Sequence, residues 1–272
     1  MQTLSVVIIT LNEERNIGRC MDSVREIADE IIVLDSFSTD HTEAIVRQKN
    51  GIFHQQAFGG YGAQKNAAAS LASNDYILFL DADEYLSEAL AAAIKIQKDY
   101  EFAFDGYTMN RLNNYCGQWI RHGSWYPDKK LRIINRKKGY WSNHLVHEYI
   151  VMQDHPTLFH LKGDLLHFAY ESIEEHITKN NSYSQLSAQL LWQKGRRSSR
   201  FNIICNPFWA FVHSYFIRLG FLDGFNGFII AINLAHLTFL KYIKLFRLQH
   251  EKPVYKKMTA VKTATGSGKD EG

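Results

Sequence analysis

Short apolar runs alternate with amphipathic stretches along the first hundred residues. Residues 4–10 form a continuous apolar run, which is typical of a parallel strand covered on both faces. The pattern predicts further strands at residues 30–34, 52–55 and 76–80. Helices are predicted between them, from about residue 17, at 40–49, at 63–72 and at 87–98. Four strand–helix repeats in sequence predict an α/β fold built on a parallel sheet.

Polar side chains follow the predicted strands at the point where each strand ends. Asn12 follows the first, Asp35 the second, and Asp81 and Asp83 the fourth. Ligands of such sheets bind beyond the carboxyl ends of the strands. In extended backbone, residues two apart point to the same side, so Asp81 and Asp83 are expected to converge. Two carboxylates with open positions suit Mg²⁺ or Mn²⁺ shared with substrate phosphates, although an acidic turn before a helix is the alternative.

Composition narrows the class of protein. With 272 residues, 46% of them hydrophobic, the chain can bury a substantial core. A net charge of only +3 does not indicate a nucleic-acid-binding protein. The three cysteines are scattered, without a CxxC pair, which favours a reducing cytosol. The N-terminus lacks the basic region of a signal peptide, and no GxGxxG follows the first strand, which disfavours a dehydrogenase.

Four segments resemble, in order and spacing, the motifs of family 2 glycosyltransferases. They are VIITLNEE at 7–14, VLDSFSTD at 33–40, GAQKN at 62–66 and LDADE at 80–84. The resemblance implies the GT-A fold, a Rossmann-like mixed sheet flanked by helices, here followed by a C-terminal helical extension. It also implies a UDP-sugar as donor and a divalent metal, Mn²⁺ or Mg²⁺.

The same resemblance implies roles for individual residues. Thr10, Asn12 and Glu13 would line the nucleotide pocket, and Asp35 would meet the base. Lys65 would face the diphosphate, while Asp81 and Asp83 would hold the metal. The chemistry of the side chains agrees, since a carboxylate accepts a base N–H and a lysine attracts phosphate. An exposed helix lysine remains the alternative for Lys65. Asp40, with Glu43, resembles a capping box for the next helix.

The middle of the chain, residues 106–170, is predicted to extend the sheet and bind the acceptor. Four aromatic residues are candidate sugar platforms or core residues: Trp119, Trp125, Tyr126 and Trp141. The segment HLVHE at 144–148 resembles the "VHE" motif of the lipopolysaccharide-core β-1,4-glucosyltransferase branch of the family. The segments LLHF at 165–168 and GFLDG at 220–224 resemble two further patterns of that branch. We predict Glu148 as general base, with His147 as its neighbour or as third metal ligand, and Asp128 as the rival base.

The C-terminal part differs in character. Ser172 and Glu175 resemble a capping box that opens a helix to about residue 192, followed by a basic linker at 196–200. Residues 201–252 are aromatic and basic, which suits helices lying in an anionic membrane interface. A helical subdomain packed on the core is the equal alternative, and a membrane span is less favoured. Residues 253–272 have no apolar periodicity and are predicted to be disordered.

These observations predict three functional parts: a nucleotide-sugar-binding half at residues 1–105, an acceptor-binding half at 106–200 and the extension. The predicted activity is inverting, metal-dependent transfer of a hexose, glucose from UDP-glucose by resemblance, to a sugar hydroxyl of a lipid-anchored glycan such as the lipopolysaccharide inner core. The predicted location is the cytoplasmic face of the inner membrane, with peripheral attachment. The alternatives are a polyprenyl-phosphate glycosyltransferase and a non-catalytic nucleotide-sugar-binding module.

Overall fold

The computed structural model describes residues 2–142 and 148–250 of the chain. Strands in this part are β1 (Leu4–Thr10), β2 (Glu30–Asp35), β3 (Ile52–Gln55), β4 (Tyr76–Asp81), β5 (Glu84–Leu86), β6 (Gly106–Tyr115), β7 (Gln118–Ile120), β8 (Asp128–Asn135), β9 (Gly139–Trp141), β10 (Ile150–Met152) and β11 (Leu158–Tyr170). Helices are α1 (Ile17–Val24), α2 (Thr42–Gln48), α3 (Tyr61–Leu71), α4 (Glu88–Asp99), α5 (Ile173–Gln193), α6 (Arg200–Val212) and α7 (Gly224–His250).

One mixed sheet organises the fold, in the order β3-β2-β1-β4-β8-β6-β11-β5, with β7 paired to β6. The first four strands are parallel, as the alternating pattern predicted. The sheet then becomes mixed, because β8 runs antiparallel to both β4 and β6 while β11 is parallel to β6. Strands β9 and β10 form a separate antiparallel pair. The predicted mixed sheet flanked by helices is therefore confirmed.

Burial on both faces of the sheet explains why β1 is continuously apolar. Every residue of β1 is buried. Successive side chains point to opposite faces of a strand, so alternate residues join different cores. On one face, Val6 and Ile8 pack with α1 and α4. On the other, Val7 and Ile9 pack with α3 and Trp141. The central strands are thereby fixed in register, and their polar carboxyl ends are held at one edge.

The two predicted capping boxes have different outcomes. The helix expected from Asp40 begins at Thr42 instead, and the Asp40–Glu43 capping box is wrong. Asp40 Oδ1 accepts hydrogen bonds from the backbone N and the Oγ1 of Thr42, at 3.0 and 2.6 Å, while Glu43 pairs with Arg47. At α5 the prediction is confirmed at its N-cap, where Ser172 Oγ accepts from the backbone N of Glu175 at 3.1 Å.

The C-terminal helices pack on one another and beside the sheet. Helix α7 lies against both α5 and α6. Lys244 on α7 donates from Nζ to Ser184 Oγ and to the carbonyl oxygen of Asn181 on α5. Among the described residues, one helical stretch, Gly220–His250, is long and apolar enough to cross a membrane, with a mean hydropathy of 1.4. The predicted disordered tail at 253–272 lies outside the described residues.

Candidate active site

A cleft of about 770 Å³ opens at the carboxyl ends of β1 and β4 and extends to α5. Its walls come from both halves of the sheet and from loops that follow strands. The lining residues include Thr10, Glu13, Ser36, Tyr61, Gln64, Asp81, Asp83, Arg111, Asn113, Ser124, Trp125, Asp128, His167, Tyr170, Lys179 and Tyr183. The predicted convergence of polar side chains on this edge of the sheet is thus present, and new members come from β11 and α5.

Asp81, at the end of β4, is paired with two buried cations. Its Oδ1 lies 3.0 Å from Lys65 Nζ, and its Oδ2 lies 3.1 Å from Arg132 Nη2. Burial raises the pKa of Asp81, but Lys65 and Arg132 outweigh that effect and hold the pKa well below its usual range. Lys65 is only 3% exposed and sits over the ring of Trp141 at 4.4 Å, so it is not an ordinary surface lysine.

Asp83 has a different environment from Asp81 because the chain turns at residues 82–83 instead of continuing the strand. Both carboxylates line the cleft, but Asp83 Oδ2 faces His167 Nε2 at 3.3 Å. The other ring nitrogen of His167, Nδ1, lies 2.7 Å from Asn113 Oδ1. An amide oxygen accepts hydrogen bonds, so Nδ1 carries the proton, and in the neutral ring Nε2 keeps its lone pair. Asp83 and His167 can therefore bind a metal together.

A chain of ion pairs runs along the cleft from the donor side to the acceptor side. Glu84 is fully buried, and its Oε1 contacts both Arg132 and Arg111. Arg111 in turn meets Asp128 Oδ2 through Nη2 at 2.9 Å. Asp128 Oδ1 is also 3.0 Å from Lys130 Nζ. Because each charge has an opposite partner, the network holds the carboxylates in fixed positions.

On the donor side, two buried polar atoms have no hydrogen-bond partner within the described part of the chain. They are Thr10 Oγ1 and Gln64 Oε1, and both residues line the cleft. Gln64 is oriented by its Nε2, which donates to Ser36 Oγ at 3.2 Å. Buried polar groups rarely lack partners, so these two atoms indicate a ligand with complementary polar groups. Glu13 lines the same wall, and burial raises its pKa.

Two predicted nucleotide-binding residues have structural partners instead of positions on the cleft wall. Asp35 is fully buried, and its Oδ2 accepts from the backbone N of Ser38 at 2.7 Å and from Gln55 Nε2 at 3.2 Å. Asn12 has a left-handed backbone, with φ of 54°, and its Oδ1 accepts from the backbone N of Thr39 at 2.8 Å. Both side chains thus brace the loop after β2, which supplies Ser36 to the cleft.

The candidate bases occupy different places. Asp128 lines the cleft, next to Trp125. Glu148 is outside the set of lining residues, and its Oε1 lies 3.5 Å from Lys65 Nζ. Glu148 therefore contacts the same lysine that pairs with Asp81. His147, predicted as its neighbour or as third metal ligand, lies outside the described residues, as does His144.

One of the four predicted aromatic platforms, Trp125, lines the cleft, stacked on Tyr170 with ring centroids 5.6 Å apart. Trp141 is buried behind Lys65. The other two pack elsewhere: Trp119 against Tyr85 and Phe168, and Tyr126, whose hydroxyl donates to Asp164. The sequence did not single out Tyr170, Lys179 or Tyr183, which depend on the placement of β11 and α5.

Most of the chain is similar to known glycosyltransferases. Residues 5–155 match the family model described as glycosyl transferase family 2. The lipopolysaccharide core biosynthesis glycosyltransferase LpsC of Rhizobium meliloti is 32% identical over 250 residues, covering 90% of this chain and 92% of LpsC. An uncharacterised glycosyltransferase of Rickettsia typhi is 32% identical, covering 91% and 88%.

Among solved structures, similarity extends to the mannosyltransferase PcManGT of Pyrobaculum calidifontis, determined with GDP-Man and Mn²⁺. The TM-score is 0.55 at 14% identity, with 89% of this chain and 86% of that chain covered. At that identity the likeness concerns the fold alone, and it confirms the predicted GT-A architecture.

Proposed function

The chain belongs to the family 2 glycosyltransferases, and from this premise we propose that it moves a hexose from a UDP-sugar to a sugar hydroxyl, with inversion at the anomeric carbon. The observation that carries the proposal is a single cleft joining unpartnered polar atoms, an Asp83–His167 pair and an acceptor-side carboxylate. Glucose is the hexose that the resemblance to lipopolysaccharide-core enzymes favours.

The donor nucleotide would occupy the wall formed by Thr10, Ser36 and Gln64. A uracil ring offers an N–H flanked by two carbonyl oxygens, which matches an amide oxygen and a hydroxyl that both lack partners. The braced loop held by Asp35 and Asn12 would fix that wall before the donor arrives. In this proposal Asp35 supports the base site instead of touching the base.

A divalent metal, Mn²⁺ or Mg²⁺, would be held by Asp83 and His167. A carboxylate and an imidazole whose other nitrogen is engaged by Asn113 are a suitable donor set. When bound, such a metal neutralises the diphosphate leaving group. Among the described residues no group of three or more His, Cys, Asp or Glu side chains forms a metal site, so Asp83 and His167 are the protein ligands that we propose. Asp81 was predicted from the sequence as the other metal ligand. Because its two oxygens pair with Lys65 and Arg132, we propose that Asp81 and Lys65 set the charge beside the metal and the diphosphate.

The acceptor would bind on the Trp125–Tyr170 side, where Asp128 lines the cleft. A carboxylate there can take the proton of the acceptor hydroxyl as its oxygen attacks the anomeric carbon directly, so no covalent sugar–enzyme intermediate is needed. We propose Asp128 for this role because it lines the cleft, whereas Glu148 contacts Lys65 and is not among the lining residues. Glu148, which the sequence favoured as the base, becomes the alternative.

The acceptor class is a lipid-anchored glycan such as the lipopolysaccharide inner core, by analogy with the name of LpsC. Peripheral attachment to the cytoplasmic face of the inner membrane would bring the enzyme to it. The nucleotide-sugar-binding half would be residues 1–105 and the acceptor-binding half residues 106–200. A polyprenyl-phosphate acceptor and a binding module without turnover are the alternatives.

Thermal melting with UDP, GDP or NAD, each with and without Mn²⁺, tests the donor site first. A ligand that binds only the folded state raises the melting temperature by mass action. We expect a shift with UDP that requires Mn²⁺ and disappears in Asp81→Ala/Asp83→Ala. Transfer assays with a soluble inner-core glycan and with a polyprenyl phosphate would then separate the acceptor classes. No shift with either UDP or GDP would contradict the proposal, and UDP binding without any turnover would support the binding module.

A further inference from the structure

An unusually apolar surface lies on the C-terminal helices, away from the parallel strands. None of the residues of α6 is fully buried, and Phe201, Ile204 and Phe208 are each 70% exposed. These residues repeat at helical spacing and so share one side of α6. The segment that follows adds Phe216 and Leu222, both 55% exposed, and Phe225 at the start of α7, 75% exposed. We call these six side chains the docking face.

Ring contacts connect the end of α6 with the segment that follows and with the start of α7. Phe211 of α6 contacts Tyr215, Phe216 and Phe228, with centroids 5.4 to 6.1 Å apart. Phe228 stacks on Phe225 at 6.2 Å. Packed aromatic rings beneath the exposed ones hold the face in one shape. Contiguous apolar surfaces of this kind mark sites that bind a protein or a membrane.

The charged residues around the docking face indicate what binds to it. Residues 194–250 contain one acidic residue, Asp223, which is only 6% exposed. Basic residues flank the docking face, with Arg196, Arg197 and Arg200 exposed at the start of α6 and Arg218 exposed within the following segment. Exposed aromatics combined with an excess of cations suit an anionic lipid surface, where the apolar rings enter the interface and the cations meet the headgroups.

The packing of α7 disfavours a membrane span. Lys244 on α7 is bonded to Asn181 and Ser184 of α5. Helix α5 exposes polar side chains along its length, with the charged Glu174 and Lys179 in its first two turns. Inserting α7 across a bilayer would break these bonds or carry α5 into the lipid, and both are costly. The docking face lies instead on α6, the segment after it and the start of α7, and its exposed side chains can enter the membrane interface without unpacking α7 from α5.

The docking face is joined directly to the acceptor wall of the cleft. Asp223 accepts hydrogen bonds from the backbone N of Arg121 at 3.1 Å and of His122 at 2.8 Å, and from His122 Nδ1 at 3.0 Å. Ser214 Oγ accepts from the backbone N of Ser124, which lines the cleft beside Trp125. Gly227 permits α7 to pack closely on the segment that carries Asp223, since a Cβ there would lie 1.9 Å from the carbonyl oxygen of Gly220.

We propose that the docking face binds the protein to an anionic bilayer. The hydrogen bonds of Asp223 to Arg121 and His122, which we call the Asp223 clamp, would thereby hold the Trp125 wall of the cleft beside the lipid surface. An acceptor anchored in that surface would then reach the cleft from the Trp125 side. This inference deepens the peripheral attachment in the proposed function, by naming the surface and the class of lipid, and its acceptor part rests on that function.

Cosedimentation with vesicles tests the surface. We expect the full-length protein to bind vesicles containing phosphatidylglycerol and to bind phosphatidylcholine vesicles much more weakly, with binding reduced by salt. Phe208→Asp/Phe225→Asp should weaken binding about tenfold or more because it removes exposed apolar contacts and adds repulsion. The matched control is Ile96→Asp/Tyr100→Asp, which alters side chains that are 52% and 74% exposed at α4. It should bind like the unaltered protein.

A second variant, Arg196→Gln/Arg197→Gln/Arg200→Gln, tests the contribution of the basic residues separately from that of the apolar ones. It should lose mainly the preference for anionic over zwitterionic vesicles. UDP-dependent melting of each variant keeps the donor site as a separate readout, so failure of the proposed function would be visible independently. The inference is overturned if the unaltered protein binds neither kind of vesicle. It is also overturned if Phe208→Asp/Phe225→Asp binds vesicles as well as the control Ile96→Asp/Tyr100→Asp does. Self-association that Phe208→Asp/Phe225→Asp abolishes, without vesicle binding, would assign the face to a second copy and also overturn it.

Discussion

His167 Nε2 lies 3.3 Å from Asp83 Oδ2, at the point where two distant parts of the chain are joined by strand pairing. In the antiparallel pair of β11 and β5, His167 is opposite Glu84, the residue after Asp83. The parallel pair of β11 and β6 sets Asn113 opposite the same histidine. The sheet therefore both delivers the imidazole to the carboxylate and supplies the amide that orients it.

This relationship predicts that His167→Ala loses most of the metal-dependent part of UDP binding. Removing one of two protein ligands should weaken Mn²⁺-supported affinity by at least about tenfold. Melting temperatures with UDP, with and without Mn²⁺, measure the effect. His160→Ala on the same strand is the matched control, since His160 contacts Thr108 near the outer end of β11. An unchanged Mn²⁺ requirement in His167→Ala would exclude the imidazole from the metal site.

The choice of general base is tested by Asp128→Asn and Glu148→Gln. Loss of a positioned base should reduce the transfer rate by about 10²- to 10⁴-fold while UDP affinity stays nearly intact. We expect that pattern for Asp128→Asn, which retains the size of the side chain in the cleft. Glu148→Gln should instead alter donor binding, because it removes a charge 3.5 Å from Lys65. Loss of turnover with normal UDP binding in Glu148→Gln alone would make Glu148 the base.

The sequence predicted local features better than long-range contacts. Periodicity predicted the strands at 4–10 and 76–80, because a strand covered on both faces must be apolar throughout. It also predicted the buried face of α1, where apolar residues recur at helical spacing. Asp81, Asp83 and Thr10 could be placed near the cleft since each follows or ends a parallel strand.

What the sequence could not specify depends on pairing between distant segments. Lys179 and Tyr183 reach the cleft only because α5 follows β11, whose position beside β6 has no local signal. Asp35 has the right position along the chain for a base contact, but Ser38 and Gln55 occupy its carboxylate. Neither contact could be inferred from spacing, since each depends on how a loop folds back.

His176 predicts how stability depends on pH on the acceptor side. Its ring is 4% exposed beneath Trp125 and Tyr170, and Nδ1 lies 3.2 Å from the Tyr115 hydroxyl. Burial lowers the pKa of His176 to about 4, with Glu175 opposing and Lys179 reinforcing the shift. The folded state therefore binds fewer protons than the unfolded chain between about pH 6.5 and pH 4.

The stability associated with neutral His176 is thus complete above about pH 6.5 and is lost as the pH falls towards 4, with an upper bound of about 3 kcal/mol. Urea unfolding at pH 7.5 and at pH 5 measures this change. In His176→Gln the fall in unfolding free energy between the two pH values should be smaller than in the unaltered protein. His155→Gln, at a site between β10 and β11, should leave the fall unchanged. Equal losses in all three proteins would show that other groups dominate acid destabilisation.

Substitution of Asp223 should separate the binding of lipid vesicles from the use of a lipid-anchored acceptor. Its carboxylate accepts three hydrogen bonds from Arg121 and His122, and an asparagine would set an N–H against one of these donors. We expect Asp223→Asn to cost about 1–3 kcal/mol of unfolding free energy and to loosen the segment that holds Ser124.

Because the docking face itself is unchanged, Asp223→Asn should still bind anionic vesicles and UDP. The KM for a vesicle-anchored acceptor should rise, by about tenfold if the loosened wall costs about 1.4 kcal/mol of acceptor binding, with little change in UDP affinity. Asn226→Ala is the matched control, since it removes only the exposed hydrogen bond from Asn226 Nδ2 to Gln118 Oε1. An unchanged acceptor KM in a folded Asp223→Asn enzyme would show that the clamp does not position the cleft, whereas a loss of vesicle binding would show that it shapes the docking face as well.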